Sequence, residues 1–91
     1  MDKVRIKIFG KVQGIGYRWF IFEVAKKKNL CGWVRNLTDG SVECCIKGCI
    51  DDINDFINEI KTGHPSAVIE KIEVSKVEDE IELPEEFTIK Y

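Results

Sequence analysis

The sequence predicts an α+β fold, a two-layer sandwich with two helices on one face of a mainly antiparallel sheet. Three observations predict it. Val4, Ile6 and Ile8 alternate with Lys3, Arg5 and Lys7, the period-2 pattern of a strand with one buried face. Ile53, Phe56, Ile57 and Ile60 fall at i, i+3, i+4 and i+7, the stripe of a helix packed on a core. Strand-like and helix-like stretches follow one another as βαββαβ with a short terminal strand, which is the split βαβ plan of ferredoxin-like domains.

The elements follow in order. The first strand is expected over Lys3 to Phe9, with its basic residues facing water. Gly10, Gly14 and Gly16 then punctuate a loop, and helical composition runs from Trp19 to Lys28, with Lys26, Lys27 and Lys28 matching the negative end of a helix dipole. Asn29 can take the left-handed conformation that closes a helix. Cys31 to Leu37 reads as the second strand, and Asp39-Gly40 as a two-residue hairpin turn. On the third strand, Ser41 to Lys47, Val42, Cys44 and Ile46 should face the core, and Glu43, Cys45 and Lys47 the other side. The second helix is expected from Asp51 to Lys61, ended by Gly63 and Pro65. Ile69 to Val77 forms a fourth strand with Ile72 and Val74 inward. His64 is expected as a solvated loop residue. Glu78 to Glu86, acidic and broken by Pro84, reads as a surface loop, and Phe87, Ile89 and Tyr91 alternate as the final strand.

With 91 residues, the chain is expected to form one domain over 1–91. The 44% apolar and 33% charged fractions are those of a soluble globular protein. No apolar run has the length of a signal peptide or a membrane span, so a cytoplasmic protein without membrane association is expected. Cys31, Cys44, Cys45 and Cys49 form no C-x-x-C pair, and Cys44 and Cys45 point to opposite faces of a strand. They read as buried or half-buried thiols rather than a metal site, and neither metal nor cofactor is expected. A net charge of -2 argues against a dedicated nucleic-acid binder.

Chemistry concentrates in Gly10 to Arg18, GKVQGIGYR. A glycine-rich loop between a strand and a helix leaves backbone N–H groups free to converge, and the helix N-terminus adds partial positive charge, so the stretch suits an anion. The candidate amides are those of Gln13, Gly14, Ile15, Gly16, Tyr17 and Arg18, with the Arg18 guanidinium as a planar fork for phosphate oxygens. A tight turn with a solvated arginine fits the spacing equally well. The P-loop pattern fails because Tyr17 and Arg18 follow Gly16, and the dinucleotide fingerprint fails because Trp19 replaces its third glycine.

GKVQGIGYR resembles the signature loop of the acylphosphatase family, and LCGWVRNLTDGSVE, Leu30 to Glu43, resembles its second signature at the same separation. The resemblance implies a ferredoxin-like α/β sandwich that hydrolyses carboxyl-phosphate anhydrides without a metal. It implies Arg18 as the phosphate-binding arginine and Asn36 as the residue that orients the attacking water. The partners it implies are a small acyl phosphate and inorganic phosphate as product and competitive ligand, with the chain acting as a monomer. Asn29, where the family usually has glycine, and Lys28, where it is usually apolar, depart from the pattern. Trp33 and Tyr17 are expected to pack rather than touch substrate. The alternatives are a ferredoxin-like RNA-binding module, disfavoured because SVECCIK has no aromatic residue, and a catalytically silent anion-binding domain.

Overall fold

A computed structural model describes residues 1–78 and 80–91. Asp79, in the expected acidic loop, lies outside the described residues. The elements are β1 (Asp2–Lys11), α1 (Tyr17–Lys27), β2 (Cys31–Asn36), β3 (Val42–Gly48), α2 (Ile50–Thr62), β4 (Val68–Lys76) and β5 (Thr88–Ile89). The sheet order is β4-β1-β3-β2-β5. All neighbours run antiparallel except β5, which pairs parallel to β2. This is the expected βαββαβ plan.

Alternation explains the layering. Val4, Ile6 and Ile8 of β1 and Val42, Cys44 and Ile46 of β3 are buried and meet Ile21, Val24 and Ala25 of α1 and Ile53, Phe56 and Ile60 of α2 in one core. Removing that apolar area from water is the main force holding helices to sheet. Cys45 and Glu43 are also buried, although they face away from the helices. β3 is the central strand, so long side chains from neighbouring strands cover them.

Several boundaries and positions differ from expectation. Helix α1 begins at Tyr17 rather than Trp19, because Gly16 serves as its N-cap. Val74, expected inward, is exposed, because β4 is the edge strand and lies at the margin of the helical cover. The final strand is only Thr88–Ile89: Phe87 is buried, but Tyr91 is fully exposed. His64 is half-buried rather than solvated, its ring packing edge-on against Tyr17 and Phe20. The β2-β3 hairpin closes through Leu37 N–H donating to Ser41 O, which makes a three-residue turn with Gly40 at φ 92. A left-handed third residue is the usual solution for a turn of that length.

Asn29 has φ 55 and closes α1, with its N–H on Lys26 O and Leu30 N–H on Ala25 O. Lys28 bridges the helices by an ion pair with Glu59 at 3.0 Å, so a polar residue fits there. Tyr17 is buried, and its hydroxyl donates to Ile60 O in the last turn of α2, where helix carbonyls lack intrahelical partners. Burial pushes the Tyr17 hydroxyl's pKa up, so it remains a donor. The cysteines are all free: Cys44 and Cys45 buried, Cys31 half-buried, Cys49 exposed.

Candidate active site

The β1-α1 loop is fixed from two sides. The Gln13 side-chain amide donates to Leu37 O at 2.7 Å and to Ser41 O at 2.9 Å, tying the loop to the β2-β3 hairpin. Tyr17 ties its other end to α2. Between these anchors Gly14 and Gly16 have φ 76 and 75. A Cβ at either position would meet nothing within 4 Å, so backbone conformation rather than crowding demands glycine here.

Gly16 caps α1 without any side-chain hydrogen bond, and the first helical bond is Phe20 N–H to Gly16 O. The N–H groups of Tyr17, Arg18 and Trp19 precede it and are the orphan donors of the helix start. A serine or aspartate cap would fill one of them. Glycine leaves them open.

These residues surround a hollow of about 170 Å³ lined by Val12, Gly14, Gly16, Tyr17, Arg18, Trp19, Asn36, Ile89 and Tyr91. The structure thus brings Arg18 and Asn36, 18 positions apart in the chain, to one cavity. Gln13 and Ile15, expected to offer amides, are not among the lining residues. Gln13 is engaged with the hairpin, and Ile15 packs against the core. Trp19, Ile89 and Tyr91 were not foreseen as cavity residues. Trp19 follows Arg18 in the first turn of α1, whereas Ile89 and Tyr91 reach the hollow through tertiary placement of β5 and the residues after it beside α1.

Arg18 is held before any ligand arrives. Its Nη1 donates to Lys90 O at 3.1 Å, and its guanidinium stands 4.8 Å from the centre of the Tyr91 ring. Asn36 ends β2 opposite Val42. Its Oδ1 is buried and has no protein hydrogen-bond partner among the described residues. The turn beside it is stiffened by Asp39, whose carboxylate accepts from the Ser41 hydroxyl and backbone N–H and pairs with Lys7 at 3.2 Å. Those hydrogen bonds, the hydroxyl first, bring the Asp39 pKa down to about 2. Trp33 has the parity opposite to Asn36 on β2 and is not among the residues lining the cavity.

Comparison with known proteins points to one family. The acylphosphatase family model matches residues 4–89. An acylphosphatase of Polaromonas naphthalenivorans is 42% identical over 76 residues, covering 84% of this chain and 75% of that protein. The crystal structure of acylphosphatase from Bacillus subtilis superposes with a TM-score of 0.93 at 35% identity, covering both chains fully. The chain is also 40% identical over 89 residues to a probable carbamoyltransferase HypF of Methanocaldococcus jannaschii, matching 97% of this chain but 12% of that one. With the loop, the helix start and the asparagine at one cavity and the family model spanning nearly every residue, the chain belongs to the acylphosphatase family.

Proposed function

We propose that this chain is a metal-independent acylphosphatase, which cleaves the carboxyl-phosphate anhydride of acyl phosphates to carboxylate and inorganic phosphate. The observation that carries the reading is the convergence of the α1 N-terminus, Arg18 and Asn36 on one small cavity.

The leaving group is a carboxylate whose conjugate acid has a pKa of about 4, so its departure needs no general acid. The reaction does need a cradle for the phosphoryl oxygens and a water in line with the breaking P–O bond. The open amides of Tyr17, Arg18 and Trp19, with those of Gly14 and Gly16, and the Arg18 guanidinium supply the cradle. Asn36 positions the water, and its unpartnered Oδ1 is the acceptor available for a water proton. A neutral amide is a poor base, so the proton passes to a phosphate oxygen or to solvent as the P–O bond forms. Inorganic phosphate, sharing the cradle, competes with substrate.

Phosphate release from a generic acyl phosphate, with and without a chelator and beside an ordinary phosphate monoester, tests the proposal. Unchanged turnover in chelator and little action on the monoester are expected. Chelator-sensitive turnover, or equal rates on both substrates, would overturn it.

A further inference from the structure

The sheet face opposite the helices carries charge very unlike that of the whole chain. Arg5 and Lys7 from β1, Lys47 from β3, Arg35 from β2, Lys71 from β4 and Lys90 beyond β5 all stand on it. Their carboxylate partners are fewer. Glu43 is shared by Arg5 at 3.5 Å and Arg35 at 2.7 Å, while Lys7 pairs with Asp39 and Lys71 with Glu73. Near Trp33, among the described residues, Glu43 is already held by the two guanidiniums of Arg5 and Arg35, while Lys47 and Lys90 stand on the same face. In the other layer, Asp51, Asp52, Asp55 and Glu59 of α2 stand against Lys61 of α2 and Arg18, Lys26 and Lys27 of α1, so that layer is close to neutral.

Two aromatic rings lie within this cationic field. Trp33 has the Arg35 guanidinium 4.9 Å and the Lys90 ammonium 4.5 Å from its ring centre. Phe9 has Lys7 at 5.0 Å and Lys71 at 5.5 Å. Register places Trp33 opposite Cys45 and Cys45 opposite Arg5, four residues along β1 from Phe9. Standard strand rise and spacing then put the two rings roughly 16 Å apart on one face.

We infer that this open sheet face binds single-stranded nucleic acid, with bases on Trp33 and Phe9 and backbone phosphates on the flanking lysines and arginines. Charge complementarity points to a polyanion. The two rings, each with mobile cationic side chains over it that can turn to phosphates as a base enters, favour a strand that carries a flat base beside every phosphate over an acidic peptide or an anionic membrane. β3 has no aromatic residue, but Trp33 on the adjacent β2 supplies the platform that β3 lacks.

The site is separate from the phosphate cavity, and the experiment exploits this. A fluorescein-labelled oligouridylate of about ten nucleotides is titrated with the full chain, followed by anisotropy, with inorganic phosphate saturating the α1 cavity. Binding is expected to persist there and in Arg18→Ala. Its affinity should fall with salt at a log–log slope of about -2 to -3, since each contacted phosphate of a single strand contributes about -0.7. Trp33→Ala should weaken it roughly 10-fold, whereas Trp33→Phe should keep most of it, because stacking needs only a ring. The double variant Lys7→Glu, Lys71→Glu should weaken binding and flatten the slope. Unchanged turnover of acyl phosphate in the Trp33 variants checks that the fold is intact. Absence of binding, or its loss with phosphate or in Arg18→Ala, would overturn the inference. Equal competition by an acidic peptide or anionic vesicles, with no effect of Trp33→Ala, would overturn it as well.

Discussion

Replacing Asn36 with leucine should make the protein more stable and much less active. Among the described residues Asn36 Oδ1 is buried without a protein hydrogen-bond partner, and a buried polar atom left unpaired costs about 1–3 kcal/mol. Leucine keeps the branched shape and removes the orphaned acceptor, and the adjoining cavity of about 170 Å³ accepts its extra volume without forcing the core apart. A domain of this size gains on the order of 4–8 °C in Tm per kcal/mol, so Asn36→Leu should melt several degrees above the parent without phosphate. The amide that positions the water is lost at the same time. By comparison with the loss of one preorganised hydrogen-bonding group, kcat should fall by about 10²–10³. Thermal melts followed by circular dichroism, beside initial rates of acyl phosphate hydrolysis, measure both quantities. A lower or unchanged Tm would mean that the oxygen is satisfied in the free protein, and full turnover would remove Asn36 from the reaction.

Phosphate at 100 times its Kd should stabilise the parent by about 2.7 kcal/mol, and Arg18→Ala should lose most of that shift, as paired melts with and without phosphate would reveal. Tyr17→Phe leaves the buried Ile60 carbonyl without its donor, so it should cost about 1–3 kcal/mol in denaturant unfolding and loosen the loop that Tyr17 anchors. Asp39 has its pKa depressed in the folded state, so its contribution is present above the unfolded value near 4 and is lost as pH falls through about 2. The acid limb of a stability profile should therefore be flatter in Asp39→Asn than in the parent.

The parts of the fold that rest on local periodicity were legible in the residues. β1, β3 and α2 bury the faces that alternation and helical spacing assign to them. Legibility failed where neighbours decide. Val74 has the right parity for burial, yet its strand is the sheet edge. Cys45 has the parity of a solvent-facing residue, yet the centre of a sheet covers it. Tyr91 continues the alternation of Phe87 and Ile89 but leaves the sheet to stand over Arg18. At the cavity, the glycines, Arg18 and Asn36 could be picked out by motif, while Ile89 and Tyr91 could not, because they come to the hollow only through the last residues crossing beside α1.

Arg18 shows how local and global preferences divide at such a site. A cation in the first turn of a helix opposes the macrodipole by about 0.3–1 kcal/mol, and no acidic residue in that turn offsets it. Local consistency would replace both Arg18 and the uncapped Gly16. The fold instead holds the guanidinium from outside the helix, through Lys90 O and the Tyr91 ring. An anion between the helix start and the guanidinium reverses the sign of the local conflict, because both then attract it. The arrangement that local preferences disfavour is thus the same charge distribution that suits a phosphoryl group. A better-capped helix here would gain stability by filling the donors that the ligand requires.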